Sequence, residues 1–226
     1  MSNISVSKTR LSFLFKIIVF VSAIVGTLLS YLASRDSFMG GSTVFMFFTT
    51  QSNIAMAIIS LIGFCYMIRA RAAGAVWQVV KFVGTVAITL TGVVFCFVLA
   101  PTLGEDAWNI QNILTHVVVP VFSVIDFFIV SSAFDIKKSS VFYVIIPPIL
   151  YAIYAGIGYV NNWQFAQGYN YPYFFLNWGS KAGAFGFSDE LPFMGTAWWI
   201  LALFIFLIIV GYVYLVIADL LRNREK

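Results

Sequence analysis

Six separate runs of about 20 apolar residues, near 13–33, 44–68, 76–100, 110–133, 141–160 and 196–221, constrain this chain more than any other feature. A helix of that length crosses the hydrocarbon core of a bilayer and satisfies its own backbone hydrogen bonds. Of the 226 residues, 61% are hydrophobic and only 10% charged, a balance that a soluble domain of this size cannot keep out of water. The expected fold is therefore all-α: one polytopic domain over 1–226, a six-transmembrane-helix bundle. No strong internal repeat supports an inverted-repeat transporter.

The basic residues carry topology. Lys8, Arg10, Arg69, Arg71, Lys137, Lys138, Arg222, Arg224 and Lys226 fall at the N-terminus, the second and fourth loops and the C-terminus. The first, third and fifth loops hold only Arg35 and Lys181. By the positive-inside rule both termini face the cytoplasm. The net charge of +4 is spread over these short clusters and does not suggest nucleic acid. Lys8, Arg10 and Lys16 give a basic start to the first run. That run is longer than a signal-peptide core, and Ala33 with Ser30 or Ser34 makes a weak cleavage site, so it is read as a retained helix. Cys65 and Cys96 lie in apolar spans and read as small packing residues, not as a disulfide or metal pair.

Two polar clusters interrupt the spans. Thr49-Thr50-Gln51-Ser52-Asn53 lies in the second run and covers every direction around a helix. Asn109, Gln111, Asn112, Thr115 and His116 open the fourth. His116 is the one histidine of the chain, and a polar ring in a bilayer is costly. At about 1.5 Å per residue, Thr49 lies roughly 7 Å and His116 roughly 9 Å below the outer ends of their helices. The two clusters therefore share a depth. Thr49 and Asn53 share a face at i and i+4, as do His116, Pro120 and Ser123 at i, i+4 and i+7. Pro120 frees the His116 carbonyl from its helical bond.

Asp126 lies about 15 Å beyond His116 along the helix and cannot orient that ring. It is expected to pair with Lys81, with a proton or ion relay as the alternative. The segment 161–195 is a long aromatic loop between the fifth and sixth helices. It contains Tyr169-Asn170-Tyr171-Pro172-Tyr173-Phe174-Phe175-Leu176-Asn177-Trp178. Such density fits an interfacial belt. It also fits a lid over a site in the bundle, since irregular backbone at membrane depth must be covered by protein or line a cavity.

These residues resemble a known family. Phe47-Phe48-Thr49-Thr50-Gln51-Ser52-Asn53 is similar to the "YFTxQSN" segment of bacterial six-helix relatives of the androgen-induced membrane proteins. His116, Pro120 and Asp126-Phe127 resemble its His-x-x-x-Pro-x5-Asp pattern. Pro148, Tyr151 and Tyr154, then Tyr171-Pro172-Tyr173-Phe174-Phe175-Leu176-Asn177, resemble its "PPLxYxxY…YPYPFLD" stretch. The matches run in order from the second helix to the fifth loop; the first and last helices match only as apolar spans. Animal members cleave fatty-acid esters of hydroxy fatty acids with an intramembrane threonine and histidine. The resemblance implies Thr49 and His116 as that pair, with Thr50 as a competing nucleophile. It implies a lid or pocket edge of Tyr171, Pro172, Phe174, Phe175 and Asn177, with Asn177 where relatives commonly carry an acid.

The chemistry coheres. A threonine hydroxyl needs a base, and His116 could take its proton and return it to the departing alcohol. Gln51 or Asn53 could donate to the oxyanion, and Asn112 is the nearest group to orient the histidine. The expected substrate is a lipid or fatty-acyl ester met among membrane lipids, with no cofactor and no metal, in a bacterial cytoplasmic membrane. The competing reading is a lipid or small-molecule binder or transporter that uses the same polar groups to hold a head group. A third is a scaffold bundle in which they are structural glue.

Overall fold

The computed structural model describes residues 6–35, 41–69 and 74–224, so Asp36, Arg71 and Lys226 of the charge pattern lie outside the described residues. Among the described residues six helices are long and apolar enough to cross a membrane: α1 (Val6–Ser34), α2 (Phe48–Ile68), α3 (Ala75–Trp108), α4 (Ile110–Ser131), α5 (Lys138–Val160) and α6 (Thr196–Arg224). Among the described residues there is no strand, only two isolated bridges in the loop before α6. The chain is thus an all-α, six-span integral membrane bundle.

Several spans change helical type, each for a local reason. α3 widens into a π-turn at Phe95–Leu99 before Pro101, and α4 does the same at Leu114–Val118 before Pro120. A proline cannot donate to the carbonyl four residues back and its ring crowds that carbonyl, so the preceding turn loosens. α5 opens with a 3-10 stretch, Lys138–Ile145, and becomes α-helical at Ile146–Val160, where Pro147 and Pro148 occupy first-turn positions that need no N–H. α4 starts at the Asn109 cap, whose side chain accepts from the Asn112 N–H at 3.0 Å.

α1 packs along α2 and α4, and α3 packs against α2, α4 and α6. One core cluster is built on Phe82, Val86, Leu90, Phe127, Val144, Leu207 and Leu215. A second holds Val19, Ala23, Met56, Ala57, Ile88 and Val119. Leu14, Val21 and Leu28 on α1, with Leu201, Ile205 and Ile209 on α6, are exposed along one side of each helix, as lipid-facing positions must be. The first half of α5 packs along α6, whereas its second half, Ile146–Val160, meets α6 little. The two helices therefore form a fork at the end of the bundle away from the termini.

At the end that holds both termini, the carboxylate of Asp126 joins three helices. Lys81 on α3 pairs with its Oδ2. Lys16 on α1 lies 2.8 Å from Oδ1 and 2.9 Å from Oδ2, and Ser12 donates to Oδ1 at 2.5 Å. The Lys81–Asp126 pair expected from sequence is present. Lys16 is a correction: it belongs not to a basic flank but to the interior, 4% exposed. Gly63 on α2 makes the passage, since a Cβ there would sit 2.9 Å from Lys16 Cε.

Candidate functional site

The two polar clusters meet through Asn53. This fully buried side chain donates from Nδ2 to the Thr49 carbonyl at 2.8 Å and across to the Thr115 carbonyl of α4 at 3.1 Å. Ser52 donates to the Thr49 carbonyl at 2.9 Å and lies 2.7 Å from Thr91 Oγ1 on α3. Polar groups placed around a helix thus reach two neighbours, as membrane polar glue does.

His116 is buried beside this bridge, its ring stacked on Phe95 at 3.8 Å between centroids. The stack joins the two π-turns. Gly92 lets α3 and α4 close on it, because a Cβ there would lie 2.9 Å from the His116 carbonyl oxygen. His116 Nδ1 is 3.1 Å from the Asn112 carbonyl and 2.9 Å from Thr115 Oγ1. Thr115 gives its one proton to the Gln111 carbonyl at 2.8 Å. Both neighbours of Nδ1 then accept, so Nδ1 carries the ring proton and Nε2 of the neutral ring keeps its lone pair. Asn112 meets the ring through its backbone carbonyl, while its side chain donates to the Ala107 carbonyl at 2.9 Å.

Thr49 faces elsewhere. It lines an apolar cavity of about 60 Å³ in the fork between α5 and α6, with Phe48, Leu90, Thr91, Val94, Tyr151, Tyr173, Phe175, Leu176, Ile200 and Phe204 among the walls. Its N–H donates to Tyr173 Oη at 3.3 Å, and its Oγ1 lies 3.3 Å from the same oxygen. Phe47, the residue before α2, gives no side-chain cap, so Tyr173 takes up an otherwise free first-turn N–H. Among the described residues no hydrogen bond joins Thr49 to His116, and His116 does not line this cavity. Thr50 is buried off the cavity wall. Gln51 is exposed and donates to the Phe45 carbonyl at 3.2 Å, away from the cavity.

The aromatic loop divides its residues between two roles. Tyr173, Phe175 and Leu176 turn inward and wall the cavity, with the Tyr173 and Phe175 rings stacked at 5.1 Å. Phe185 and Phe187, by contrast, are 70% and 76% exposed. Of the lid residues expected from sequence, Phe175 reaches the cavity. Tyr171 packs on Tyr169, Pro172 is buried and Phe174 packs on Trp199. Asn177 closes a local turn by accepting from the Gly179 N–H at 3.0 Å. Tyr173 lay within the aromatic run read as a lid but was not singled out, because alternation along an irregular loop does not say which ring turns inward. Burial holds its phenol above the ordinary range, with hydrogen bonds to Thr49, Tyr151 and the Phe48 backbone pulling the other way. At neutral pH it keeps its proton.

Among the described residues no three His, Cys, Asp or Glu side chains gather as metal ligands, and both cysteines are free. The bundle and cavity define a class: a six-span membrane protein with an apolar cavity walled by α2, α3, α5, α6 and the aromatic loop. Comparison with known proteins found no matching family model, no similar curated protein and no similar solved structure.

Proposed function

We propose that the chain is an intramembrane lipid-ester hydrolase, with Thr49 as nucleophile and His116 as general base. The observation that carries this reading is Thr49 in the wall of an apolar cavity in the α5–α6 fork, its hydroxyl 3.3 Å from Tyr173 Oη. A water-sized group needs about 10–15 Å³, so about 60 Å³ takes the ester and its first carbons. The rest of a long acyl chain continues through the fork into lipid. The His116 tautomer, with Nε2 free to accept, suits a base. The ordered motif matches favour fatty-acid esters of hydroxy fatty acids as the substrate class.

Proton transfer requires Thr49 and His116 to meet directly or across one water. Their present separation favours a second reading, a lipid binder in which the Thr49–Tyr173 hydroxyls hold a head group. The deciding experiment uses purified protein, a fluorophosphonate probe and a medium-chain ester. Thr49→Ala and His116→Ala each abolish labelling and turnover, the double change adds little, and Thr50→Ala retains activity. A wild-type protein that binds the lipid but neither labels nor turns over leaves the binder.

The basic clusters favour an orientation with both termini on the cytoplasmic side and the 161–195 loop outside. A cysteine at position 138 is then labelled only from the cytoplasm and one at position 181 only from outside. The reverse pattern overturns the orientation.

A further inference from the structure

The sequence offered Gln51 and Asn53 as donors to the oxyanion, and neither is free to act. Gln51 points away, and both N–H bonds of the Asn53 amide are spent on the Thr49 and Thr115 carbonyls. The other hydroxyls on the cavity wall are committed as well. Tyr151 donates to the Met46 carbonyl at 3.1 Å, and Thr91 lies against Ser52 Oγ at 2.7 Å. Tyr173 differs: besides hydrogen bonds with Tyr151 and the Phe48 backbone, it meets the N–H and hydroxyl of Thr49 itself. Because its oxygen already accepts from that N–H, its proton is left to point at Thr49 Oγ1 or at whatever is bonded to it.

We infer that Tyr173 is a catalytic residue of this site, its phenol O–H donating to the oxyanion that forms when Thr49 attacks an acyl ester. The inference rests on the hydrolase reading above. In the step, Thr49 Oγ1 bonds to the acyl carbon, the carbonyl π pair moves onto the carbonyl oxygen, and the Oγ1 proton passes to His116 Nε2 once the two side chains meet directly or across one water, as the hydrolase reading requires. Collapse of the tetrahedral centre breaks the bond to the leaving oxygen, which takes that proton and departs as an alcohol. Water then cleaves the acyl-threonine by the same route and releases the acid. The oxyanion and Oγ1 sit on one carbon, so a donor 3.3 Å from Oγ1 is placed to close on the oxyanion at about 2.7–3.1 Å. The Thr49 N–H, released from Tyr173 Oη, is the second donor, at the positive end of a 21-residue helix.

The test compares wild type with Tyr173→Phe in purified protein, using a medium-chain ester, its non-cleavable ether analogue and the fluorophosphonate probe. Tyr173→Phe lowers kcat and the rate of Thr49 labelling by about a hundredfold or more, while affinity for the ether is unchanged. A kcat within about threefold of wild type overturns the inference and leaves the hydrolase reading standing. Loss of ether binding in step with activity also overturns it, since the ring would then be structural. A wild-type protein without turnover or labelling removes both. Should Tyr173→Phe fail to fold, a fluorinated tyrosine at position 173 replaces it. A more acidic phenol then raises kcat, and indifference to acidity overturns the inference.

Discussion

At the residue scale, the site depends on which atom of each polar group is already committed. Asn53 shows this most clearly. Its Nδ2 holds α2 to α4, while its Oδ1 is buried without a partner among the described residues. Asn53→Ala takes the cross-helix donor from the Thr115 carbonyl, while the Thr49 carbonyl keeps Ser52, and an unsatisfied buried group costs about 1–3 kcal/mol. The expected outcome is a lowered Tm in detergent and, on the proposed hydrolase function, loss of ester turnover, because the bridge between the two clusters is gone. Tyr173 gives a pH test. Its folded pKa is raised above the ordinary value of 10.0, chiefly by burial. The stability it contributes is therefore fully present below pH 10 and is lost as pH rises through the folded value. Tyr173→Phe has no such proton to lose. Its Tm should fall less than that of wild type between neutral pH and pH values above about 10, and parallel losses would refute the assignment.

At the scale of elements, the two π-turns matter because they face each other. Each precedes a proline and each offers one ring to the Phe95–His116 stack. π-turns of this kind recur at functional sites, where an extra residue re-aims a side chain. Their closeness depends on Gly92. Gly92→Leu would drive a side chain into the His116 carbonyl and Pro120, so it should separate α3 from α4. The expected effect is a lowered Tm and loss of activity without change at Thr49, with Gly92→Ala intermediate. The polar run 49–53 and the His116–Pro120 pair were both legible in the sequence, as was their common depth. The π-turns were not, because a widened turn arises from competition between proline and the carbonyls of its own helix.

At the scale of the whole molecule, the ion cluster at the end holding both termini ties α1, α3 and α4 together. Two lysines share one carboxylate, so Asp126 is the member whose removal leaves most charge unpaired. Breaking a buried pair costs about 3–5 kcal/mol. Asp126→Asn should therefore lower Tm more than Lys16→Met or Lys81→Met alone. Combining Asp126→Asn with Lys16→Met should cost less than the sum of the single changes, because each removes the other's partner. Additive losses in that cycle would argue against contact. The sequence held Lys81 and Asp126 at similar depth, and the structure adds Lys16 and Ser12, which the apolar run of α1 concealed as a basic flank.

The sequence by itself determined the class of fold, because a bilayer leaves a long apolar run no alternative to a helix, and the lengths of the runs set their number. It also determined which residues are too polar for lipid and so must face protein or a cavity. Only the tertiary structure decided what each of them faces. Thr49 looks into the α5–α6 fork toward Tyr173, whereas His116 looks into the α3–α4 seam toward Phe95. Helical spacing fixes the direction of a side chain relative to its own axis. The rotation of that axis against its neighbours, and the path of an irregular loop back over them, come from packing between segments far apart in the chain.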